Sequence, residues 1–586
     1  MAVDPRTLLR RPRTTGAAGR GSLRRSTNGG PEMSYDVVVR GGTVVDGTGG
    51  PARVADVAVA DGVIAAVGDG LRGDLELDAV GHVVAPGFID VHTHYDAQVF
   101  WDPDLTPSAF HGVTTVIAGN CGFSIAPVRA DGVGILGRTL QHVEDMSLDT
   151  LQAGVPWADF ESFGDYLDAV AQRGVGLNYG CYVGHTAVRL YVMGDDAYER
   201  AATDEELGRM QRLVADAMDA GAIGFATSAS PTHNGDRGRP VPSRLAPLSE
   251  VRALCEPLRE RGRGVVAMLP GGVFSNQDLF DLQQHLGRPI TWTALLTVKG
   301  LPYHEKVVAE HDAARADGVE VWPQVSCRPL VFQMNLEEPF TLNMRPSFAA
   351  LMDLDRDGRV AAYRDPAWRA GAWEDVSGRG GLLPFNWPAL SVAESASHPE
   401  LVGRNVVDLA DEQGVTPLDA MLDLSLADDL RTRFNSTLAN DDADAIAWLL
   451  PRDGMLIGLA DSGAHVSQLC DACFATDLLG NWVRGRGVMT LERAIHKLTA
   501  EPAGVYGLTD RGRVAPGLAA DLVVFDPDTV APGPLRRIVD FPADGERLTA
   551  DSPVGVRHVM VNGVPIRVDG EMDATAQSTR PGVLLR

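Results

Sequence analysis

Long apolar runs and cysteines are scarce in this sequence. No apolar stretch approaches the roughly 20 residues that a membrane-spanning helix requires, although 45% of the 586 residues are hydrophobic. Six cysteines in a chain of this length are too few for a disulfide scaffold and are typical of a reducing compartment. We therefore predict no membrane segment and take the cytoplasm as the expected location.

Positive charge is scarce as well, with 52 Lys and Arg against 78 Asp and Glu and a formal net charge of −26. This excess of negative charge disfavours nucleic acid or an anionic membrane surface as the partner. A small-molecule substrate is therefore the expected partner, and the sequence leaves the formation of a homo-oligomer open.

Both ends of the chain contain short β-rich runs separated by glycine, which are typical of a small β domain. Between them, helix-like segments alternate with buried strand-like runs, as where Thr203 to Gly221 precedes Ala222 to Ala226. This alternation predicts an α/β protein with a (β/α)₈ TIM-like barrel. The predicted segments are a disordered tail or upstream start over 1–33, β-rich ends over 34–86 and 509–586, and a barrel over 87–508 with an insertion at about 346–401.

Two histidines follow the strand-like run from Phe88 to Val91. Because side chains alternate faces along a strand, His92 and His94 point the same way at its carboxyl end. The carboxyl ends of the strands are also where barrel enzymes carry their chemistry. Neutral imidazole is the commonest metal ligand in proteins, so the pair predicts a metal site.

The sequence resembles the amidohydrolase superfamily and, within it, the N-acyl-D-amino-acid deacylases. The resemblance runs from about Met33 to Val568, and Gly119 to Gly122 is the part specific to the deacylases. The matching segments are Gly87 to His94, His111 to Val116, Gly119 to Gly122, Val183 to Thr186, Gly221 to Phe225, Asp461 to His465 and Arg513 to Phe525. The resemblance implies a hydrolase barrel beside a small β-sandwich that is built from both chain ends.

The resemblance also implies a set of metal ligands, which in this sequence are His92, His94, Cys121 and Asp461. Imidazole, thiolate and carboxylate are all good zinc ligands, although another divalent metal is compatible with them. A bound metal lowers the pKa of water and polarises a carbonyl group. Asp461 is expected to take a proton from the attacking water and pass it to the leaving amine.

Two further histidines that the family uses for its metal are missing here. Leu269 and Ala294 stand at about those positions, and an apolar side chain cannot coordinate a metal. His111, His233 and His465 remain as substitutes, but no spacing requires them. Three outcomes follow, in order of preference: one metal ion on the remaining ligands, weak binding of added metal, or a retained pocket with a changed reaction.

An N-acyl amino acid carries a free carboxylate, which calls for an arginine or lysine in the substrate site. Arg328 is the first candidate because it follows a strand-like run, and Arg189 is the second. His185 is expected to hydrogen-bond the oxyanion or the acyl group, with a structural role as the alternative. The side chains expected to line the mouth are Ser228, His233 and Gln324.

The predicted function is metal-dependent hydrolysis of a linear amide, foremost an N-acyl (D-)amino acid, with one zinc ion. Two alternatives stay open. The first is a divergent enzyme of this fold that forms or cyclises an amide, and the loss of two imidazoles motivates it. The second is a non-catalytic binding protein, against which the retained His92, His94 and Asp461 argue.

Overall fold

The computed structural model describes residues 34–342, 345–352, 354–378 and 385–586, so the tail predicted over 1–33 lies outside the described residues. Its strands are β1 Tyr35–Val44, β2 Arg53–Ala60, β3 Val63–Gly68, β4 Gly73–Asp78, β5 Val83–Pro86, β6 Phe88–Asp90, β7 Val113–Ala118, β8 Asn178–Gly184, β9 Gly224–Ser228, β10 Val265–Leu269, β11 Ile290–Trp292, β12 Val321–Val325, β13 Leu330–Met334, β14 Ser391–Glu394, β15 Arg433–Ala439, β16 Leu456–Ile457, β17 Leu522–Phe525, β18 Arg536–Phe541, β19 Gly545–Thr549, β20 Val556–Val561, β21 Val564–Val568 and β22 Glu571–Met572. Its α-helices are α1 Val133–Glu144, α2 Leu148–Gly154, α3 Phe163–Arg173, α4 His185–Met193, α5 Asp204–Ala220, α6 Leu248–Arg261, α7 Asn276–Leu286, α8 Tyr303–Ala316, α9 Pro346–Ala349, α10 Arg356–Arg364, α11 Pro366–Ser377, α12 Val406–Gln413, α13 Pro417–Ala427, α14 Ala443–Leu449, α15 Phe474–Asp477, α16 Leu491–Leu498, α17 Ala500–Tyr506 and α18 Ala574–Thr579.

Strands from both chain ends form one sheet of nine strands, in the order β22-β21-β20-β17-β5-β1-β2-β3 with β4 beside β1. The two ends meet where β5 runs antiparallel to β17, with Val84 opposite Val524. Valine is abundant here because a β-branched side chain packs well on a pleated surface. The sheet confirms the predicted small β domain built from both ends, whereas the exact domain boundaries stay a prediction.

A second sheet contains eight parallel strands in the order β16-β12-β11-β10-β9-β8-β7-β6. Its first and last strands also meet, because Thr93 and Ser462 form a parallel bridge and the His94 amide donates to the Ser462 carbonyl at 2.7 Å. Every residue of β7 and β8 is buried, as expected of parallel strands covered on both faces. These features confirm the predicted (β/α)₈ barrel.

Helix α5 of the barrel begins and ends at residues that are typical of helix ends. Before α5, Thr203 and Glu206 form a capping box, in which each side chain accepts a hydrogen bond from the other residue's backbone N–H. The helix ends at Gly221, whose φ of 112° is readily adopted only by glycine. Within the described residues, no helix combines the length and the apolar character needed to span a bilayer.

The chain leaves the barrel between β12 and β16 to form a separate unit. Its sheet is antiparallel, in the order β13-β15-β14, and α9 to α13 pack into a core of their own with it. Buried residues of that core include Phe348, Tyr363, Met421 and Phe434. The unit therefore extends on both sides of the insertion predicted at about 346–401.

Candidate metal centre

Four polar side chains converge at the carboxyl ends of three barrel strands. His92 and His94 follow β6, Cys121 follows β7, and Asp461 follows β16. The ligand atoms of His92, His94 and Cys121 all lie within 4.8 Å of one another. Asp461 Oδ1 lies 3.1 Å from His92 Nε2 and 3.7 Å from His94 Nε2. The side chains that the resemblance implied as ligands are thus brought together in the structure.

Two of these residues have a backbone conformation that side chains other than glycine seldom adopt. The φ angle is 56° at Cys121 and 45° at Asp461. Such conformations cost about 1–3 kcal/mol each and are concentrated at functional sites. They direct the thiol and the carboxylate toward the two imidazoles, which indicates that the cluster has a function.

Each imidazole is held through its Nδ1 atom. His92 Nδ1 lies 2.8 Å from Gln324 Oε1 and 3.1 Å from Thr293 Oγ1. His94 Nδ1 lies 3.1 Å from Glu144 Oε1, and both side chains are buried. Since the Nδ1 atoms face away from the cluster, both Nε2 atoms point into it. This outer layer of hydrogen-bond partners is the usual way in which metal-binding histidines are oriented.

Negative charge dominates the electrostatics of the cluster. Burial alone would lower the pKa of His92, but Asp461 and Cys121 raise this pKa to about 10. The pKa of Asp461 is held well below its usual range, since the two imidazoles outweigh the effect of burial. Among the described residues, neither Asp461 nor Glu144 forms a salt bridge with an arginine or lysine. An environment that favours a cation to this degree suits a metal ion.

The donor set fits zinc. Imidazole, thiolate and carboxylate are ligand types that this ion prefers. Burial alone would raise the pKa of Cys121, but hydrogen bonds from His92 and His94 lower it, which favours the thiolate that a metal requires. His92, His94, Cys121 and Asp461 are therefore the residues that would hold the ion.

The positions that lack imidazoles lie at the ends of the neighbouring strands. Leu269 is the last residue of β10, and Ala294 follows β11. Thr293, the residue before Ala294, reaches His92, so the end of β11 does border the cluster. These two apolar side chains cannot contribute a second set of metal ligands.

The three histidines considered as substitute metal ligands contact other residues. His111 lies within hydrogen-bond distance of Thr476 and of the Ala550 carbonyl through its two ring nitrogens. His233 Nδ1 lies 2.8 Å from Ser228 Oγ, and its ring packs on Phe123. His465 packs edge-on against Phe332.

The two arginines expected to bind the substrate carboxylate are already paired. Arg328 contacts Asp471 at 2.5 Å and Asp477 at 3.1 Å. Arg189 has no exposed surface and contacts Glu250 at 2.5 Å. A guanidinium that is neutralised by a buried carboxylate is poorly suited to bind a second one, and the substrate-binding role of either arginine stays a prediction.

The remaining predicted side chains are divided between the mouth and the interior. His185 is completely buried, with Nδ1 2.7 Å from Thr227 Oγ1 and Nε2 3.0 Å from Glu250 Oε1. Gln324 is also completely buried and lies behind His92 rather than at the mouth. Ser228 is buried against His233, which is itself partly exposed.

Sequence reasoning missed Glu144 and Arg244. Glu144 ends α1 and contacts His94, which lies fifty residues earlier in the chain. Arg244 is half-buried in the turn Pro242–Leu245 and donates to the His233 carbonyl and to Asn234 Oδ1. It forms no salt bridge in the part of the chain that the structure describes. In the sequence, only its position near His233 pointed to Arg244, and that signal is weak.

Comparison with known proteins gives consistent matches along the chain. The model of the Amidohydrolase family matches residues 75–567. A D-aminoacylase of Alcaligenes xylosoxydans xylosoxydans is 31% identical over 548 residues, which cover 91% of this chain and 94% of that protein.

Solved structures are similar over the same extent. One, from work on the binuclear metal center of D-aminoacylase with one-metal activation and second-metal attenuation, has a TM-score of 0.64 at 28% identity and covers 94% of this chain and 99% of its own. Another is an N-acyl-D-glutamate deacylase from Bordetella bronchiseptica, complexed with zinc and a phosphonate that mimics the tetrahedral intermediate. It has a TM-score of 0.63 at 26% identity and covers 94% of this chain and 100% of its own.

Proposed function

The chain belongs to the Amidohydrolase family, and from this premise we propose that it is a metal-dependent deacylase of N-acyl-D-amino acids. The observation that carries the proposal is the convergence of His92, His94, Cys121 and Asp461 at the carboxyl face of the barrel. Amide formation and non-catalytic binding, the two alternatives, have no comparable support, because three relatives that cover 91–96% of the chain are named D-aminoacylase, N-acyl-D-glutamate deacylase and N-acyl-D-aspartate deacylase.

One zinc ion is proposed, held by His92, His94, Cys121 and Asp461. When bound, it supplies a Lewis acid that polarises the substrate carbonyl and lowers the pKa of water. Leu269 and Ala294 stand where the resembled family has metal-binding histidines, which supports one ion rather than two. The chain's own contribution begins with Gln324 and Glu144, which fix the orientation of the two histidine rings.

Asp461 is the proposed general base and acid. Its carboxylate lies beside the Nε2 atoms of His92 and His94, where it can accept a proton from the water that attacks the amide carbon. It then returns that proton to the amine nitrogen as the carbon–nitrogen bond breaks. The products are a carboxylic acid and a free amino acid.

His233 and Arg244 are the proposed substrate-binding residues. Burial lowers the pKa of His233 to about 4, so the ring is neutral at neutral pH. The Ser228 hydroxyl accepts a hydrogen bond from the Ser230 amide and can itself donate to Nδ1, which leaves Nε2–H to donate to the substrate. Arg244 neighbours His233 and lacks a carboxylate partner among the described residues, so it is suited to the substrate carboxylate.

Release of amine from paired N-acyl-D- and N-acyl-L-amino acids tests the function, with elemental analysis of the same protein. We expect one metal ion per chain and turnover of the D series. Asp461→Asn should lose about 10²–10⁴-fold in kcat, since it removes the acid–base group. Asp145→Asn is the control, because its carboxylate accepts hydrogen bonds from Ser467 and Gln468 rather than from the imidazoles of the cluster. No amine from either series, with metal bound, would contradict the proposal.

A further inference from the structure

Glu144 occupies a place where a carboxylate is unfavourable. It is the last residue of α1 and is only 4% exposed. The carboxyl end of a helix carries partial negative charge, which disfavours an acidic side chain. Burial adds a desolvation cost that a charged group must recover from a partner. A side chain kept under these conditions is expected to have a specific partner.

The partner is His94. Oε1 of Glu144 lies 3.1 Å from Nδ1 of His94, and His94 is the sole salt-bridge partner of Glu144 within the described ranges. The other nitrogen of the ring, Nε2, points toward Asp461 at 3.7 Å. A hydrogen bond from Nδ1–H to the carboxylate therefore leaves the Nε2 lone pair directed into the cluster.

The two histidines of the cluster are held by groups of different charge. His92 Nδ1 faces the neutral amide of Gln324, whose own Nε2 donates to Thr291 Oγ1 and so turns the amide oxygen toward the ring. His94 faces a carboxylate instead. A carboxylate increases the electron-donating strength of the imidazole more than an amide does, because it stabilises positive charge on the ring.

A second buried histidine–glutamate pair in the same barrel shows what is specific about Glu144. His185 also contacts a carboxylate, that of Glu250, but its other ring nitrogen is occupied by Thr227. Glu250 is moreover neutralised by Arg189. That pair has neither a ring nitrogen nor a net negative charge to offer to a ligand, whereas the His94–Glu144 pair has both.

We propose that Glu144 is a positioning residue that sets the metal affinity of the centre by orienting His94 and strengthening its Nε2 as a ligand. The inference rests on the proposed function, since it presupposes a metal on His94. It adds a residue outside the ligand set. Removing this residue should weaken metal binding by about 10–100-fold, the range typical of outer-sphere partners.

The experiment is a zinc titration of the full chain against a fluorescent chelator. Glu144→Gln retains the shape and an acceptor oxygen but removes the charge, and Glu144→Ala removes both. We expect the affinity to fall from wild type to Glu144→Gln to Glu144→Ala. Asp145→Asn, which alters the adjacent carboxylate without touching His94, should bind zinc as wild type does.

Cobalt(II) absorption provides a readout that general loosening of the fold would not reproduce. The thiolate-to-cobalt band reports Cys121, and the d–d bands report the whole ligand field. Both Glu144 variants should keep the thiolate band and shift the d–d bands. If Glu144→Ala fails to fold, the nearly isosteric Glu144→Gln carries the test.

The outcomes separate the inference from its premise. Wild-type affinity and an unchanged cobalt spectrum in both Glu144 variants would overturn the role of Glu144 and leave the proposed function intact. A wild-type chain that binds neither zinc nor cobalt would overturn the proposed function, and this inference with it.

Discussion

Single buried polar side chains in this protein are matched to particular partners on distant segments. Lys497 is completely buried, and its ammonium donates to the carbonyls of Arg452 and Met455 and to Glu501. His111 lies equally deep, between Thr476 and the Ala550 carbonyl. Such residues stabilise the fold only while their protonation state suits the partners, which gives the protein a defined response to pH.

His111 should make the fold sensitive to acid. Burial lowers its pKa to about 4 from an ordinary value of 6.5, so the unfolded chain binds a proton more readily than the folded one between these values. Stability is therefore present above about pH 6.5 and is lost as the pH falls toward 4. We expect a loss of about 2 kcal/mol between pH 7 and pH 5 from this group. Urea unfolding of wild type and His111→Gln checks it: equal pH slopes would contradict the assignment.

Arg244 should affect substrate binding more than turnover. Removing a charged hydrogen bond to the substrate costs about 1.5–3 kcal/mol, so Arg244→Ala should raise KM roughly tenfold or more with little change in kcat. Arg237→Ala, on the same loop but with a side chain that is 80% exposed, serves as the control. Kinetics with N-acyl-D-amino acids and their carboxamide analogues test this role. The KM for an analogue, which lacks the carboxylate, should not change in Arg244→Ala.

The residues of the cluster differ in how far the sequence reveals them. His92, His94, Cys121 and Asp461 are recognisable because short motifs surround them. Glu144 and Thr293 carry no motif, and Gln324 was expected at the mouth. Their roles depend on which strand end lies beside which, as when Gln324 meets His92 across the barrel. That information exists only after folding.

Among the elements, the hairpin of β18 and β19 connects the inserted unit to the barrel mouth. Arg537 on β18 donates to Glu394 of β14 at 3.1 Å, to Gln333 of β13 at 3.0 Å and to the Ser467 carbonyl at 2.8 Å. Ser467 follows the segment that carries Asp461. One arginine therefore joins three elements near the candidate site.

Arg537→Ala should loosen the inserted unit without unfolding the barrel. We expect faster amide hydrogen exchange in β13 to β15, because the three contacts are lost together. The matched control is Arg536→Ala, whose side chain is 59% exposed and, among the described residues, forms a salt bridge with Asp551 alone. Exchange measured by mass spectrometry should change in the first variant only; the same pattern in both would refute the role of Arg537.

Helices and barrel strands were predictable from the sequence because their signals are local. Thr203 and Thr416 are the N-cap residues of α5 and α13, a position at which threonine is favoured. The small sheet of β13, β14 and β15 was not predicted. Its strands pair across a long inserted segment, and no local period distinguishes them from surrounding loops.

For the molecule as a whole, the candidate centre lies where the barrel closes. His92 and His94 follow the first strand, Asp461 follows the last, and Thr93 and Ser462 form the bridge between them. A metal on these residues would connect the two strands directly. Binding to the folded state alone adds stability in proportion to the logarithm of ligand excess, about 4 kcal/mol at a thousandfold excess over Kd.

Removal of the metal should therefore weaken this junction first. We expect chelation to lower the thermal unfolding midpoint and to speed exchange around β6 and β16, and added zinc to reverse both changes. His92→Ala, which lacks a ligand, should respond little to chelator. An unchanged midpoint in the wild-type chain would argue against a metal across the junction.

The pairing of β5 with β17 has a consequence for biosynthesis. The first strands of the terminal sheet leave the ribosome long before the strand that completes them, since most of the chain lies between Val84 and its neighbour Val524. At roughly 5–20 residues per second, translation leaves this edge without its partner for tens of seconds. During that interval a nascent chain has an open strand available to other polypeptides, and chaperone demand should be greatest then.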